Sequence, residues 1–514
     1  MNIFSKGLTL IIQEVMVLKK RALFTVPISI ILIAVMVTSF FLLSIKPDTS
    51  HIKKSQKLSE YAKPAVVRVV SEVSVEWQFR EFYSDLDALM KEYDYKTGYR
   101  ASGSGAIISS DGYVVTNAHV VAFDDWSEDD IITEAFYQLV DIVSSEFQLD
   151  YDLTTVFLLS IVDVKDVNRK TTVVLPGGDK LKAEIKQKGT SILEEDGKDV
   201  AVLKVEGKNL PTLKLGNSDS IEDQDNIWVI GYPGAADAVG LFSPDSLLES
   251  SMNGGQISAT SKKLDSGASV IQINAAISGG NSGGPVINEK GEIIGLATAS
   301  ATDGYQQIQG FNFAVPVNIV KEFVNQSGAK NTSSNTDKLY REGLELYWGG
   351  YYKDALEKFE SVQRIFPDHS EIKDYITNSE KKIDESKILW SNYATIFYVV
   401  DGVLGLLIIF LMLFTFVFKP KVPQVIAFTA TAGGAGVATA ASTPTSTAAT
   451  ATSVPSTAEP AASTTVTPVA PASPATATTQ PDQSTSPPPA NQINNNSPSD
   501  PPEPNQNNDN SGSD

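Results

Sequence analysis

The sequence predicts a mainly β body followed by a small α-helical region, with two transmembrane helices and a disordered tail. Three observations predict this. Short apolar runs at 106–109, 113–116 and 285–287, and the alternating run that Asp199 opens, read as strands. A helical spacing replaces them over 336–385. Two apolar runs, 22–45 and 396–418, are each long enough to cross the ~30 Å hydrocarbon core at ~1.5 Å per residue.

Composition narrows the function classes. A chain of 514 residues is too long for one small domain. Its 61 Asp and Glu against 41 Lys and Arg leave a net charge of −20, which argues against nucleic-acid binding. Cysteine is absent, which removes disulfides, thiolate metal sites and cysteine nucleophiles. Only His51, His119 and His369 could supply imidazole, so a histidine-rich metal site is not expected, and no metal and no cofactor is predicted. His51 and His369 are read as surface residues.

In chain order, 1–21 reads as a cytoplasmic segment ending in Lys19, Lys20 and Arg21. The run 22–45 follows as an uncleaved anchor, with a cleaved signal as the alternative. Trp390 and Tyr393 precede the run 396–418, and Lys419 and Lys421 follow it, an aromatic belt and a basic flank. Basic flanks at both outer ends predict cytoplasmic termini and residues 46–395 outside the cell. Asp401, near one end of its run, is expected at the membrane interface. Residues 422–514, rich in Ala, Thr, Ser, Pro and Asn, lack Lys and Arg and should be disordered.

Three segments within 62–325 carry chemistry. The first holds strands at 106–109 and 113–116 around an Asp111-Gly112 hairpin signal, then His119 in TNAHV. In the second, Asp199 opens the strand DVAVLKV. In the third, Ser282 sits in the glycine-dense turn GGNSGGP before a strand at 285–287. A serine hydroxyl is a weak nucleophile at neutral pH. It needs a base such as histidine and a carboxylate to orient that base. The flanking glycines let backbone N–H groups converge where an oxyanion forms.

The order His119, Asp199, Ser282 with TNAHV, DVAVL and GNSGGP resembles the trypsin-like serine peptidases, and more closely their HtrA-type branch. The segments KPAVVRV at 63–69, GNSD at 216–219, VIGYPG at 229–234, INAAISGGNSGGP at 273–285 and GFNFAVPVN at 310–318 also resemble that branch. The resemblance covers about half the chain. It implies two six-stranded antiparallel β-barrels with His119, Asp199 and Ser282 in the cleft between them. It further implies oxyanion donors at Gly280 and Ser282, and substrate pairing along 293–300, including Thr298, Ala299 and Ser300. Ala276, six residues before the serine, supplies no carboxylate for a cationic side chain, which points to cleavage after small or aliphatic residues. Family habit adds peptide or unfolded-protein substrates, a homotrimer and a role in extracytoplasmic quality control or regulated proteolysis. A binding-class alternative is a catalytically silent membrane scaffold that captures unfolded chains.

Two segments depart from that pattern. Residues 122–170 read as an acidic insertion with twelve Asp and Glu against three Lys and Arg. Ile132, Phe136, Leu139 and Val143 fall at helical spacing there, and an apolar strand is expected at 156–164. The insertion is either a solvated excursion or a lid. In place of the usual PDZ module, Gly343, Gly350, Tyr352, Ala355, Phe359 and Pro367 fit one tetratricopeptide-like (TPR-like) repeat over 336–369. A third helix is expected to follow, to about residue 385. This region reads as a spacer or a docking surface for a partner protein.

Overall fold

The computed structural model describes residues 2–234, 248–302 and 307–418. The tail expected over 422–514 lies outside the described residues.

The first apolar run lies within α1 (Asn2–Ser44). A short helix, α2 (Lys54–Ala62), leads from it into the body. Strands β1 (Val66–Phe79), β2 (Lys96–Ile107), β3 (Tyr113–Thr116), β4 (Val162–Val174), β5 (Lys180–Lys188) and β6 (Ala201–Val205) close a barrel in the order β1-β2-β3-β6-β5-β4. The β2–β3 turn ends on Asp111-Gly112, where Gly112 takes φ +104 and donates its N–H to Ser109. That positive φ is cheap only without a Cβ.

The second sheet contains β7 (Lys214–Leu215), β8 (Asn226–Gly231), β9 (Ser251–Lys263), β10 (Ser269–Ile273), β11 (Pro285–Ile287), β12 (Glu292–Thr302) and β13 (Gln307–Pro316). Six of these form a ring in the order β11-β8-β9-β10-β13-β12, closed by β11 pairing with β12, and β7 lies parallel beside β12. Two closed six-stranded barrels therefore make up the body, as a trypsin-like double barrel requires.

Alternation along β1 divides its side chains between two cores. Val67 and Val69 enter the first barrel with Ile107, Leu203 and Val205. Val66 enters the seam between barrels, where it joins Ala106 and Val202 of the first barrel and Ile230, Ile287 and Leu296 of the second. Burying each of these Val, Ile and Leu side chains contributes about 1.5–3 kcal/mol, which ties the two barrels together along the seam.

The acidic insertion differs from its expected form. Helix α3 (Ser84–Glu92) joins β1 to β2, and α4 (Glu128–Phe147) and α5 (Tyr151–Ile161) lie between β3 and β4. The run expected as a strand at 156–164 is thus helical as far as Ile161 and extended only from Val162. Asp150 starts α5 by accepting the Leu153 N–H at 3.0 Å, and Thr154, Leu158 and Ile161 are buried at helical intervals. Leu139 and Val143 of α4 pack with Val75, Trp77, Leu86 and Leu158 into a separate core. Thr97 of β2 donates to the Ala135 carbonyl at 2.5 Å, which ties α4 to the barrel. The insertion is a packed subdomain rather than a solvated excursion.

After β13 come α6 (Val317–Gln326), α7 (Asn335–Trp348), α8 (Tyr352–Ile365), α9 (Ile372–Lys381) and α10 (Ala394–Met412). Helices α7 and α8 form a close hairpin around Phe359, which is fully buried. A Cβ on Gly343 would stand 2.6 Å from the Phe359 ring, so only glycine admits this approach. His369 is not a surface residue. It is 3% exposed, with its ring centroid 4.3 Å from that of Tyr340. Burial without a carboxylate partner drives its pKa down to about 4.

Helices α1 and α10 are both long and apolar enough to cross a membrane, α10 together with its flanking turns. They pack against each other, with the Thr25 and Thr415 hydroxyls 2.7 Å apart and Arg21 Nη1 donating to the Phe418 carbonyl at 2.7 Å. Asp401 lies within α10.

Candidate active site

His119 opens a 3-10 turn, His119–Asp124, that follows β3 after Asn117 and Ala118. Asp199 stands just before β6, the neighbour of β3 in the barrel. The pairing Thr116↔Ala201 therefore brings them together although they lie far apart in sequence. The His119 Nδ1 is 2.8 Å from Asp199 Oδ2, and the His119 backbone N–H donates to Oδ1 at 3.0 Å. Thr298 of β12 donates its hydroxyl to the same Oδ2 at 2.5 Å. Asn117 Nδ2 donates to the Asp199 carbonyl at 2.8 Å and fixes the backbone beneath the carboxylate.

Asp199 is fully buried, whereas the imidazole keeps 38% of its surface exposed. Burial pulls the His119 pKa down, but the hydrogen bond and charge of Asp199 together outweigh it, and the net direction is up from 6.5. Burial likewise pushes Asp199 up. The bond and charge of His119, the Thr298 hydroxyl and the His119 N–H overcome that push and hold the carboxyl below its ordinary range. The pair is thus a buried carboxylate beside an imidazole open on one edge, the arrangement in which the carboxylate fixes the tautomer and orientation of a base.

Ser282 lies in the turn before β11. Its hydroxyl donates to the Thr298 carbonyl at 3.1 Å, and among the described contacts no hydrogen bond joins it to His119. Thr298 therefore touches both partners, Asp199 through its side chain and Ser282 through its backbone. The backbone around Ser282 is held plane by plane. Gly234 donates its N–H to the Gly279 carbonyl at 2.5 Å, and Gly284 donates to the Asn281 carbonyl at 2.9 Å. In a trans peptide the N–H points opposite to the C=O. These two bonds therefore turn the N–H groups of Gly280 and Ser282 the other way, and neither meets an acceptor among the described residues. Gly280 has φ +92, and a Cβ there would lie 2.3 Å from the Tyr232 carbonyl oxygen.

The other expected site residues are placed as follows. Ala276 is exposed beyond β10, and its carbonyl accepts Asn253 Nδ2 at 3.3 Å. Thr298, expected at the substrate edge, is 5% exposed and spends its hydroxyl on Asp199. Its side chain is packed inward, so only its backbone is left to meet a substrate. Ala299 and Ser300 pair with Phe313 and Asn312 of β13. Sequence reasoning missed the inward role of Thr298 and the contribution of Asn117. Asn117 sits inside the motif TNAHV, where its position two residues before the histidine was the available signal.

Residues 103–296 match the family model of the trypsin-like peptidase domain. Over 226 residues the chain is 32% identical to the probable periplasmic serine endoprotease DegP-like of Pseudomonas putida, covering 44% of this chain and 34% of that protein. It is 29% identical over 320 residues to the protein of that name from Ectopseudomonas mendocina, covering 61% and 52%. It is 31% identical over 266 residues to the putative serine protease HhoB of Synechocystis, covering 49% and 48%. The chain thus spans between about a third and about half the length of these relatives. Among solved structures, the HtrA-type protease AlgW with a tripeptide aligns at 24% identity and a TM-score of 0.33, over 54% of this chain and 63% of that one. Residues 103–296 thus match a trypsin-like peptidase domain, and the curated relatives that align with this chain carry the names of DegP-like and HhoB serine proteases.

Proposed function

We propose that this chain is a membrane-anchored serine endopeptidase of HtrA type, which cleaves peptide bonds through an acyl-enzyme. The 2.8 Å bond between His119 and buried Asp199 carries this reading, because it prepares a base beside the turn that holds Ser282.

In the first step the Ser282 hydroxyl leaves the Thr298 carbonyl and gives its proton to His119 Nε2 as its oxygen attacks the substrate carbonyl carbon. Such contacts commonly tighten only once substrate is bound. The negative oxygen of the tetrahedral intermediate takes hydrogen bonds from the Gly280 and Ser282 N–H groups. His119 then passes the proton to the amine, the C–N bond breaks, and the acyl group stays on Ser282. Water, deprotonated by His119, attacks the ester, and collapse of that intermediate releases the acid and restores Ser282. Asp199 stays ionised throughout and stabilises the imidazolium.

Substrate pairs with the β12 edge near Ala299 and Ser300 by strand addition. Exposed Ala276, without a carboxylate, supports cleavage after small or aliphatic residues. The apolar helices α1 and α10 support a two-pass anchor. Together with the periplasmic naming of the DegP-like relatives, they support a peptidase domain outside the cytoplasm and a role in quality control or regulated proteolysis. Family resemblance adds a homotrimer, testable by light scattering of the detergent-solubilised chain, and the TPR-like spacing of α7 and α8 adds a docking surface for a partner protein.

A fluorophosphonate probe tests the central claim. The intact chain should label, and Ser282→Ala and His119→Ala should abolish labelling. A folded chain that never labels, even with added peptide, would instead favour a scaffold that only binds unfolded chains.

A further inference from the structure

We propose that Ser104 is the positioning residue that sets the oxyanion donors against the histidine-bearing barrel. This rests on the peptidase reading above. The His119–Asp199 pair belongs to the first barrel, and the Ser282 turn belongs to the second. The chemistry therefore depends on what fixes the turn of one barrel to the wall of the other. Ser104 lies in β2, opposite Arg68 of β1, and is fully buried.

All of its hydrogen-bonding groups are engaged. Its N–H donates to the Ser282 carbonyl at 2.7 Å. Its hydroxyl donates to the Gly280 carbonyl at 2.7 Å and accepts the Tyr232 N–H at 2.9 Å. Its own carbonyl accepts the Thr116 hydroxyl at 2.7 Å, close to the start of the His119 segment.

The Gly280 carbonyl belongs to the peptide plane that lies between the two donor planes. Gly234 holds the plane before it and Gly284 the plane after it. Two bonds hold the middle one: its Asn281 N–H donates to the Ser278 carbonyl at 3.0 Å within the turn, and its Gly280 carbonyl is gripped by Ser104 from the first barrel, which sets the relative aim of the Gly280 and Ser282 N–H groups. Without the hydroxyl, the Gly280 carbonyl and the Tyr232 N–H lose a shared buried partner. With only the Asn281 bond to Ser278 left to hold it, the 280–281 plane can tilt to find the Gly280 carbonyl another partner, and that tilt turns the donors apart. The surrounding glycines fit this pin. A Cβ on Gly231 would lie 2.8 Å from Ser104 Oγ, and one on Gly284 would lie 3.2 Å from Ser104 Cβ.

Losing one oxyanion donor outright costs about a hundredfold to a thousandfold in rate. Mis-aiming the pair should cost part of that. The experiment measures turnover of fluorescein-labelled casein and the second-order rate of fluorophosphonate labelling, using the full chain in detergent. Ser104→Ala should lower kcat and the labelling rate about tenfold to a hundredfold. KM should stay within about twofold, and the pH midpoint of activity should not move, because the His119–Asp199 pair is untouched. Ser104→Cys keeps the volume with a weaker donor and should fall between the two. A merely structural role would instead lower the melting temperature and the active fraction while leaving kcat per labelled site unchanged, and that result overturns the proposal. So does a Ser104→Ala labelling rate within twofold of the unaltered chain. If the unaltered chain labels no faster than Ser282→Ala, the peptidase reading fails and this proposal fails with it.

Discussion

At Gly280 the requirement for glycine is set twice, by a φ of +92 and by two backbone atoms, the Tyr232 oxygen and the Gly234 nitrogen, within 2.4 Å of where a Cβ would sit. Gly280→Ala should therefore displace the turn and cut kcat about a hundredfold to a thousandfold, with a smaller change in KM, measured on a peptide substrate. The His119–Asp199 pair makes a separate prediction about pH. In the proposed mechanism His119 must be neutral to accept the Ser282 proton, and its pKa is raised above 6.5. Activity should therefore rise with pH through a midpoint above 6.5 and be lost on acidification through it. Asp199→Asn removes the charge, and with it the charge-assisted bond that favours the imidazolium, so the midpoint should move down while kcat falls steeply. A pH–kcat/KM profile of both proteins checks the direction. An unmoved midpoint would mean that another group controls the limb.

Among the secondary-structure elements, what was legible in the sequence depended on how local the signal was. TNAHV, DVAVL and GNSGGP each lie beside a strand whose apolar run is short and bounded by polar or glycine residues. The positions of His119, Asp199 and Ser282 relative to β3, β6 and β11 could be read directly. The TPR-like spacing predicted α7 and α8 because Gly343, Ala355 and Phe359 meet within one hairpin. Helix α5 was misread because a short apolar run such as VFLLSI fits a strand or a helix equally well, and only the Asp150 cap separates the two. His369 was misread because nothing within its own segment signals that Tyr340, more than twenty residues earlier, will cover it. The packing of α4 leads to a stability prediction. Leu139 is fully buried in the insertion core, so Leu139→Ala should destabilise the protein by about 2–5 kcal/mol. Leu153, on the outer face of α5, is 72% exposed, and Leu153→Ala should stay within about 0.5 kcal/mol. Urea unfolding of the two variants compares them. Equal losses would contradict a packed insertion and restore the solvated excursion.

Over the whole molecule, the antiparallel contact of α1 and α10 fixes a relation that does not depend on which way the hairpin enters the membrane. Arg21, near the middle of α1, reaches the Phe414 and Phe418 carbonyls just past the end of α10. Thr25 meets Thr415 one turn further on. In the proposed two-pass arrangement the chain therefore leaves the first span and enters the second on one face, with both barrels and the α7–α9 helices on that face. That side also holds the linker, which is pinned at Glu345 by Thr49 at 2.7 Å, Lys57 at 3.1 Å and Tyr61 at 2.6 Å. Three donors from the segment between the first span and β1 thus converge on one α7 carboxylate, coupling anchor, helical region and barrel. The absence of native cysteine makes the topology directly measurable, since a single introduced thiol reports without background. Lys208→Cys, on an exposed loop of the first barrel, should react with a membrane-impermeant maleimide in intact spheroplasts. Ser5→Cys and Ser442→Cys should react only after the membrane is permeabilised, because the basic residues Lys19, Lys20, Arg21, Lys419 and Lys421 favour the cytoplasmic face. Labelling of Ser5→Cys and Lys208→Cys together in intact spheroplasts would break the two-pass arrangement. Labelling of Ser5→Cys and Ser442→Cys without Lys208→Cys would invert it and place the peptidase domain inside the cell, where a serine peptidase of this kind would meet a different set of substrates.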